Sequence, residues 1–326
     1  MSLKIGFFGS PSVSATLLGA FLDANYDIQF VVSNPDRPRG RSKKLIPSEV
    51  SRTALERSLP LYRFETLKDK QSLEILKQYN CDVFLVFAYG KLLPDEIINM
   101  PGIASINLHA SLLPELRGAS PVQSAILQGL TVTGWTLQII TKELDAGDIL
   151  SSNSVQILPD ETSGELMERM LPSGIELTRS LLDNLPESIK NRIKQNDEMA
   201  SHCRKITTQM SWIQWKDDAE KIHNVIRAFN PSPVARSYFR NKIIRLLHSQ
   251  IPQKSDLDEL EKQLKGKEPG QLMVLKGQKK IFVKTGKGVI EITELQPENK
   301  KPVDASSFLN GYRISEEDRF ESELIH

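Results

Sequence analysis

The sequence predicts an α/β fold in its first part and a small β-rich domain in its last part. Up to about residue 185, short continuous apolar runs alternate with segments of helical spacing, which is typical of parallel strands covered by helices on both faces. Near Pro186 this alternation stops and a polar stretch begins. Beyond it, short strand-like runs are separated by hairpin signals. We therefore expect a doubly wound, Rossmann-like sheet followed by a small β-barrel.

The first part contains the strands and helices that such a sheet requires. Four short apolar runs are predicted as buried parallel strands, at residues 3–8, 28–33, 83–88 and 103–108. Helical spacing lies between them, at residues 11–24 and 69–79. Residues 134–141 and 148–158 predict two further strands joined by a tight loop. An amphipathic stretch at residues 163–185 predicts a long closing helix, and Pro172 and Gly174 within it are expected to kink it.

The second part differs in composition and in the period of its apolar residues. Residues 187–208 are polar and poor in strand signals, which suits a linker. A short helix is predicted near residues 219–229, and turn residues at 276–279 and 285–288 indicate hairpins. We therefore divide the chain into domains at residues 1–186 and 209–326, joined by a linker at residues 187–208.

Bulk properties restrict the class of protein. At about 100–200 residues per domain, 326 residues suggest two domains. The longest apolar runs fall far short of the ~18 residues of a membrane span, and the N-terminus resembles a first strand more than a signal peptide. Only Cys81 and Cys203 are present, which is too few for a disulfide framework or a zinc site. We therefore expect a cytoplasmic protein with no membrane partner and no metal.

Basic residues cluster in two places although the net charge is only +1. The first cluster consists of Arg37, Arg39, Arg41, Lys43 and Lys44, and the second of Lys276, Lys279, Lys280, Lys284 and Lys287. Most charge runs are solvated loops or hairpin faces. The alternative is contact with the phosphate backbone of a nucleic acid.

Two nucleotide-binding motifs are absent. The segment after the first predicted strand, residues 6–11, lacks the G-x-G-x-x-G spacing that seats a dinucleotide pyrophosphate, and the chain has no P-loop. A nicotinamide or ATP enzyme is therefore disfavoured despite the fold class, and we expect no nucleotide cofactor.

Asn107 and His109 are the strongest candidates for chemistry. Alternate residues of a strand share a face, so both side chains point the same way at the carboxyl end of a buried strand. Open α/β sheets place their ligands at that edge. The amide can donate to a developing oxyanion, and the imidazole can donate or move a proton. The alternative is a buried, hydrogen-bonded pair that holds a loop.

A loop after a later strand carries two carboxylates, Asp145 and Asp148. Either can be a turn residue, since Asp favours turns, and spacing alone does not bring either one to His109. A carboxylate beside the imidazole would favour the imidazolium. No G-x-S-x-G elbow is present, so an attacking amine, and not a serine, fits these groups as the nucleophile in acyl transfer.

These residues resemble a known family. Residues 107–114, Asn-Leu-His-Ala-Ser-Leu-Leu-Pro, followed by residues 117–123, Arg-Gly-Ala-Ser-Pro-Val-Gln, are similar to the signature of formyltransferases that use 10-formyltetrahydrofolate. Residues 144–148, Leu-Asp-Ala-Gly-Asp, match the family's second signature. The resemblance implies that Asn107 and His109 stabilise a tetrahedral oxyanion, and that Asp145 orients and charges His109. It further implies that a folate site is lined by Ser111, Leu112, Leu113 and Pro114.

Two further segments resemble the members of this family that formylate initiator methionyl-tRNA. Residues 34–45 look like their basic inserted loop, and residues 226–233 look like the start of their C-terminal β-barrel, which is of OB-fold type and helps to hold tRNA. The resemblance implies that the tRNA acceptor arm is gripped by Arg37, Arg39, Arg41, Lys43 and Lys44. A monomer is expected.

The chain departs from the family pattern without losing a catalytic group. Ala110 replaces a usual Gly, Glu115 a basic or neutral residue, Ser120 a common Ala and Ser232 a common Trp.

Two other functions keep part of the pattern. A formyltransferase acting on a nucleotide-linked amino sugar would have little use for the basic loop. A non-catalytic RNA-binding protein would not need Asn107, His109 and Asp145.

Overall fold

The computed structural model describes residues 3–39, 44–275, 277–315 and 317–323. Its helices, numbered in chain order, are α1 (Ser12–Asp23), α2 (Glu49–Glu56), α3 (Lys70–Lys77), α4 (Asp95–Ile98), α5 (Pro121–Leu127), α6 (Ser163–Asp183), α7 (Leu185–Lys190), α8 (Ala219–Ala228), α9 (Lys254–Leu264) and α10 (Ala305–Gly311). Its strands are β1 (Lys4–Gly9), β2 (Asp27–Val32), β3 (Arg37–Arg39), β4 (Lys44–Ile46), β5 (Leu61–Tyr62), β6 (Val83–Phe87), β7 (Ala104–His109), β8 (Arg117–Gly118), β9 (Val132–Ile139), β10 (Ile149–Gln156), β11 (His202–Cys203), β12 (Ala235–Phe239), β13 (Lys242–Gln250), β14 (Leu272–Leu275), β15 (Lys280–Lys284), β16 (Val289–Pro297), β17 (Val303–Asp304) and β18 (Phe320–Glu321).

The chain forms two compact units. The first is built from Met1–Pro121, Thr133–Val155 and Glu168–Arg204, and the second from Val122–Val132, Gln156–Met167 and Lys205–His326.

The first unit contains a mixed sheet with the strand order β10-β9-β7-β6-β1-β2-β5. The five strands from β7 to β5 are parallel, which confirms the predicted doubly wound sheet. Strand β9 runs antiparallel to β7. Strand β10 follows β9 after residues 140–148 and is its neighbour in the sheet, so no helical crossover joins these two strands.

The strand order reverses between β1 and β6. From β1 the chain moves outward to β2 and β5, then returns to β6 on the other side of β1. Ligands of open α/β sheets bind beyond the carboxyl ends of the strands at such a reversal. Asn107 and His109 end β7, the neighbour of β6, and therefore lie at this edge.

Aromatic residues fill one side of the sheet. The rings of Phe8, Phe30 and Phe84 contact one another at centroid distances of 5.2–5.8 Å. A Cβ at Gly6 would lie 2.4 Å from the Phe30 ring, so this position must be glycine for the aromatic core to close. Gly6 therefore has a packing role. This agrees with the absence of the G-x-G-x-x-G motif, in which glycines serve dinucleotide binding.

The second unit is an antiparallel β-barrel. Its strand path is β14-β15-β16-β13-β12-β18, with β17 paired to β16. The two ends of the path meet where Gln271 pairs with Arg319, and the Phe320 amide donates to the Gly270 carbonyl at 2.8 Å. This closure confirms the predicted small β-barrel. Helix α8 begins at the cap of Asp218, whose side chain accepts from the Lys221 amide, and buries Ile222 and Ile226 in the barrel core.

Residues 187–208 are more regular than their composition predicted. Helix α7 reaches Lys190, 3-10 helices span Asp197–Met199 and Thr208–Ser211, and β11 pairs in parallel with β8. The predicted closing helix forms as α6 and continues past Pro172. In the parts of the chain that the structure describes, no helix combines the length and apolarity that crossing a bilayer requires.

Candidate active site

Strand β7 places Asn107 and His109 on one face at its carboxyl end. Asn107 lies opposite Gln138 of β9, and His109 lies opposite Thr136. The His109 ring is almost fully buried, and its Nε2 lies 3.0 Å from the carbonyl oxygen of Leu116. Its Nδ1 lies 3.6 Å from Oδ1 of Asp145. Each ring nitrogen therefore faces an oxygen atom of the protein.

Asp145 completes the group that sequence spacing alone did not assemble. Its Oδ1 accepts from Gln138 Nε2 at 2.8 Å and from Asn107 Nδ2 at 3.4 Å, and its Oδ2 accepts from the Gly118 amide at 2.9 Å. Its own backbone is left-handed, with a φ of 54°. In the antiparallel register of β7 and β9 the last residue of β9, Ile139, lies opposite Ile106, and the loop that follows brings the Asp145 side chain to Asn107 and His109. Asn107, His109 and Asp145 are thus brought together.

The other carboxylate of the loop has a different position. Asp148 accepts from Arg192 Nε at 3.0 Å in a half-exposed ion pair. Of the two candidates in this loop, Asp145 is the one that contacts the polar pair of β7.

The loop after β7 contains the four predicted folate-site residues. The Ser111 hydroxyl donates to the Glu115 carbonyl at 2.7 Å. Thr136 of β9 donates to the Ser111 carbonyl and accepts from the Leu113 amide. Ser111 and Leu113 are buried, while Leu112 and Pro114 are half-buried. The loop is therefore fixed to β9.

Three of the five predicted tRNA-binding residues, Arg37, Arg39 and Lys44, lie in the paired strands β3 and β4. Arg37 is exposed and pairs across the hairpin with Ile46. Arg41 and Lys43 lie outside the described residues. For Arg39 and Lys44 the structure describes only the backbone, within β3 and β4.

Three polar residues at this site were missed by sequence reasoning or given no role. Gln138 is 2% exposed and binds the Asp145 carboxylate; a polar residue opposite Asn107 on a buried strand was a usable signal. Arg117 was part of the first signature but had no assigned role. Gln195 lies in the polar stretch predicted as a linker, where no feature of the sequence distinguishes this glutamine from the polar residues around it. Among the described residues, no three His, Cys, Asp or Glu side chains are grouped to hold a metal ion.

Comparison with known families covers most of the chain. A model described as formyl transferase matches residues 3–179, and one described as formyl transferase, C-terminal domain, matches residues 205–313.

Curated relatives match over almost their full length. A protein of Leptospira interrogans named methionyl-tRNA formyltransferase is 40% identical over 322 residues, covering 98% of this chain and 100% of the relative. Proteins of the same name from Sulfurihydrogenibium and Staphylococcus epidermidis are 35% and 34% identical, covering 98% and 96% of this chain and 100% and 97% of their own lengths.

Solved structures share the fold at lower identity. HypX from Aquifex aeolicus in complex with tetrahydrofolic acid superposes with a TM-score of 0.64 at 16% identity, covering 95% of this chain and 47% of HypX. WlaRD, a sugar 3N-formyl transferase in the presence of dTDP and 5-N-formyl-THF, gives a TM-score of 0.60 at 20% identity, covering 92% of this chain and 100% of that chain.

Proposed function

We infer the function of this chain from its family: it belongs to the formyltransferases, and among them to the methionyl-tRNA formyltransferases. We propose that it transfers the formyl group of 10-formyltetrahydrofolate to the α-amine of methionine esterified to initiator tRNA, giving formylmethionyl-tRNA. The observation that carries this proposal is the Asp145 carboxylate, which faces both Asn107 and His109 at the ligand-binding edge of the sheet.

The chemistry needs no nucleophile from the protein. The lone pair of the methionine amine attacks the formyl carbon and forms a new C–N bond, while the carbonyl electrons move onto oxygen. Asn107 donates to that oxyanion and the His109 imidazolium stabilises its charge. The attacking nitrogen loses a proton with the help of Asp145. The bond from the formyl carbon to N10 then breaks, and tetrahydrofolate leaves with a proton on that nitrogen.

The donor is proposed to lie against the loop after β7. The folate site would be lined by Ser111, Leu112, Leu113 and Pro114. The two hydrogen bonds made by the Thr136 hydroxyl would keep that loop in place. Two solved structures of the same fold were obtained with a folate: HypX in complex with tetrahydrofolic acid, and WlaRD in the presence of 5-N-formyl-THF. Both support a folate donor. We propose no metal and no nucleotide cofactor in this reaction.

The acceptor is proposed to be held by charge and by the second domain. Phosphates of the acceptor arm would be contacted by five basic residues: Arg37, Arg39, Arg41, Lys43 and Lys44. We propose residues 1–186 as the catalytic domain, residues 187–208 as the connection, and residues 209–326 as the tRNA-binding barrel. We further propose that the protein works as a monomer in the cytoplasm.

A direct assay tests this function. The full chain is incubated at low salt with 10-formyltetrahydrofolate and either methionyl-tRNA or a nucleotide-linked amino sugar, the alternative acceptor. Formylation of methionyl-tRNA, lost in His109→Ala, is the expected result. Turnover of the sugar alone would refute the proposed acceptor, and unchanged activity in His109→Ala would refute the assigned site.

A further inference from the structure

A segment downstream of both signature motifs reaches back to the Asp145 loop. Gln195 follows α7 and is 6% exposed. Its Nε2 donates to the backbone carbonyl of Asp145 at 3.0 Å and to that of Gly147 at 2.7 Å. One amide group thus holds both ends of the turn that carries the Asp145 carboxylate.

Arg117 fixes the orientation of that amide. Its Nε and Nη2 both donate to Gln195 Oε1, at 3.0 and 2.8 Å. Because a guanidinium only donates, the oxygen of Gln195 must face Arg117 and the nitrogen must face the loop. Arg117 is itself 6% exposed, and its Nη2 also pairs with Asp197 Oδ1 at 2.8 Å. A buried charge with these partners is held in one geometry.

The hydrogen bonds close into a ring around Asp145. Gly118, the residue after Arg117, donates its amide to Asp145 Oδ2 at 2.9 Å. Strand β8 therefore holds the carboxylate directly, and it holds the backbone of the same residue through Gln195. The pairing of β8 with β11 joins the 195–203 segment to this arrangement. Asp145 needs such support because its φ of 54° is a conformation that aspartate adopts less readily than glycine.

We propose that Gln195, oriented by Arg117, is a positioning residue that keeps the Asp145 carboxylate against His109 and Asn107. This rests on the proposed function, in which Asp145 serves catalysis. A plain structural role makes a different prediction, because a buried glutamine that only stabilises the fold would act independently of Asp145.

A double-mutant cycle in the full chain separates these roles. Gln195→Ala is expected to lower kcat for methionyl-tRNA formylation by about 10-fold to 100-fold, the range for a displaced catalytic group, with KM for tRNA and folate nearly unchanged. In the Asp145→Ala background the same change is expected to cost less than about 2-fold, since its route of action is gone. Equal losses in both backgrounds, or a loss confined to KM, would overturn the proposal. Met199→Ala, an exposed position in the same segment, is the matched control.

Amide hydrogen exchange gives a readout that does not depend on activity. The Gly118 amide, held by the Asp145 carboxylate, is expected to exchange faster in Gln195→Ala, while amides of β6 keep their wild-type rates. Faster exchange throughout would indicate general destabilisation and overturn the proposal, as would an unchanged Gly118 rate. If wild type fails to formylate methionyl-tRNA while Gly118 exchange responds as expected, the proposed function is wrong but the positioning of Asp145 stands.

Discussion

Asp145 is the most firmly held of the three proposed catalytic residues. Its carboxylate accepts from Gln138, Gly118 and Asn107 and faces His109. A carboxylate with these donors is held without freedom to turn, and its negative charge lies directly beside the imidazole. A substitution that keeps the shape of the Asp145 side chain therefore shows what its negative charge contributes to the reaction rate.

Asp145→Asn keeps the size of the side chain and removes its charge. Because His109 loses the orienting carboxylate beside its ring, we expect kcat to fall on the order of 10²-fold or more. Steady-state formylation measures this effect. Asp148→Asn, in the same loop but paired with the half-exposed Arg192, is expected to stay near the wild-type rate. A near-wild-type kcat in Asp145→Asn would contradict the assigned role.

The residues of the site differ in how far the sequence could predict them. Asn107 and His109 follow from strand alternation at the end of an apolar run, because that rule is local. Asp145 followed only from family resemblance, since 38 residues separate it from Asn107. Gln195 lies 50 residues from Asp145 in a polar stretch, and its hydrogen bond to that loop depends on tertiary structure that no local pattern encodes.

At the level of elements, the apolar runs predicted the parallel strands because buried strands need continuous apolar sequence. The two-residue strands β8 and β11 were missed, since they are too short for any period to show. Their pairing depends on Gly118, whose φ is 123° and where a Cβ would lie 2.3 Å from the Cys203 carbonyl oxygen.

Gly118→Ala should therefore separate β8 from β11. We expect a loss of about 1–3 kcal/mol in the free energy of unfolding, the usual cost of a strained backbone, together with a lower kcat because the Gly118 amide binds Asp145. Urea unfolding and formylation rates measure the two effects. Gly19→Ala in α1, where a Cβ would meet no atom within 4 Å, is the control and should stabilise by up to ~1 kcal/mol. If the two variants were equally stable, the predicted clash between a Cβ at position 118 and the Cys203 carbonyl oxygen would be wrong.

Helix α8 carries a buried histidine whose protonation the fold opposes. His223 Nε2 donates to the Pro159 carbonyl at 3.0 Å, and its Nδ1 lies 2.9 Å from the Ser249 hydroxyl. Burial lowers the pKa of His223 below its ordinary 6.5, and Arg227 lowers it further, against the opposing effects of Pro159 and Asp160. The folded state thus binds this proton less readily than the unfolded chain does.

The sign of the pH dependence follows from that lowered pKa. The stability contributed by neutral His223 is present above pH 6.5, the ordinary pKa, and is lost as the pH falls towards the folded-state pKa. We expect the free energy of unfolding to drop between about pH 7.5 and pH 5, and to drop less in His223→Gln. Urea unfolding at each pH measures it. An equal drop in both proteins would assign the dependence to other groups.

At the scale of the whole molecule, charge is balanced overall and uneven locally. The chain has 42 basic and 41 acidic residues, so net charge gives no general attraction to RNA. Binding of a polyanion must then depend on local clusters such as the one at residues 37–44. The same argument explains why composition alone did not predict a nucleic-acid substrate. The basic clusters left nucleic-acid contact as an alternative, and the resemblance of residues 34–45 to a basic inserted loop then implied tRNA.

Arg41→Ala tests whether that cluster serves tRNA. An arginine that binds a phosphate acts on one substrate only, so KM for methionyl-tRNA should rise while KM for the folate donor stays the same. The slope of the logarithm of tRNA affinity against the logarithm of salt concentration should also fall by about one if Arg41 neutralises a single phosphate. Lys70→Ala, which removes an exposed positive charge from α3, is the matched control and should change neither quantity. Equal damage to the use of both substrates would refute the proposed role of the loop in binding tRNA.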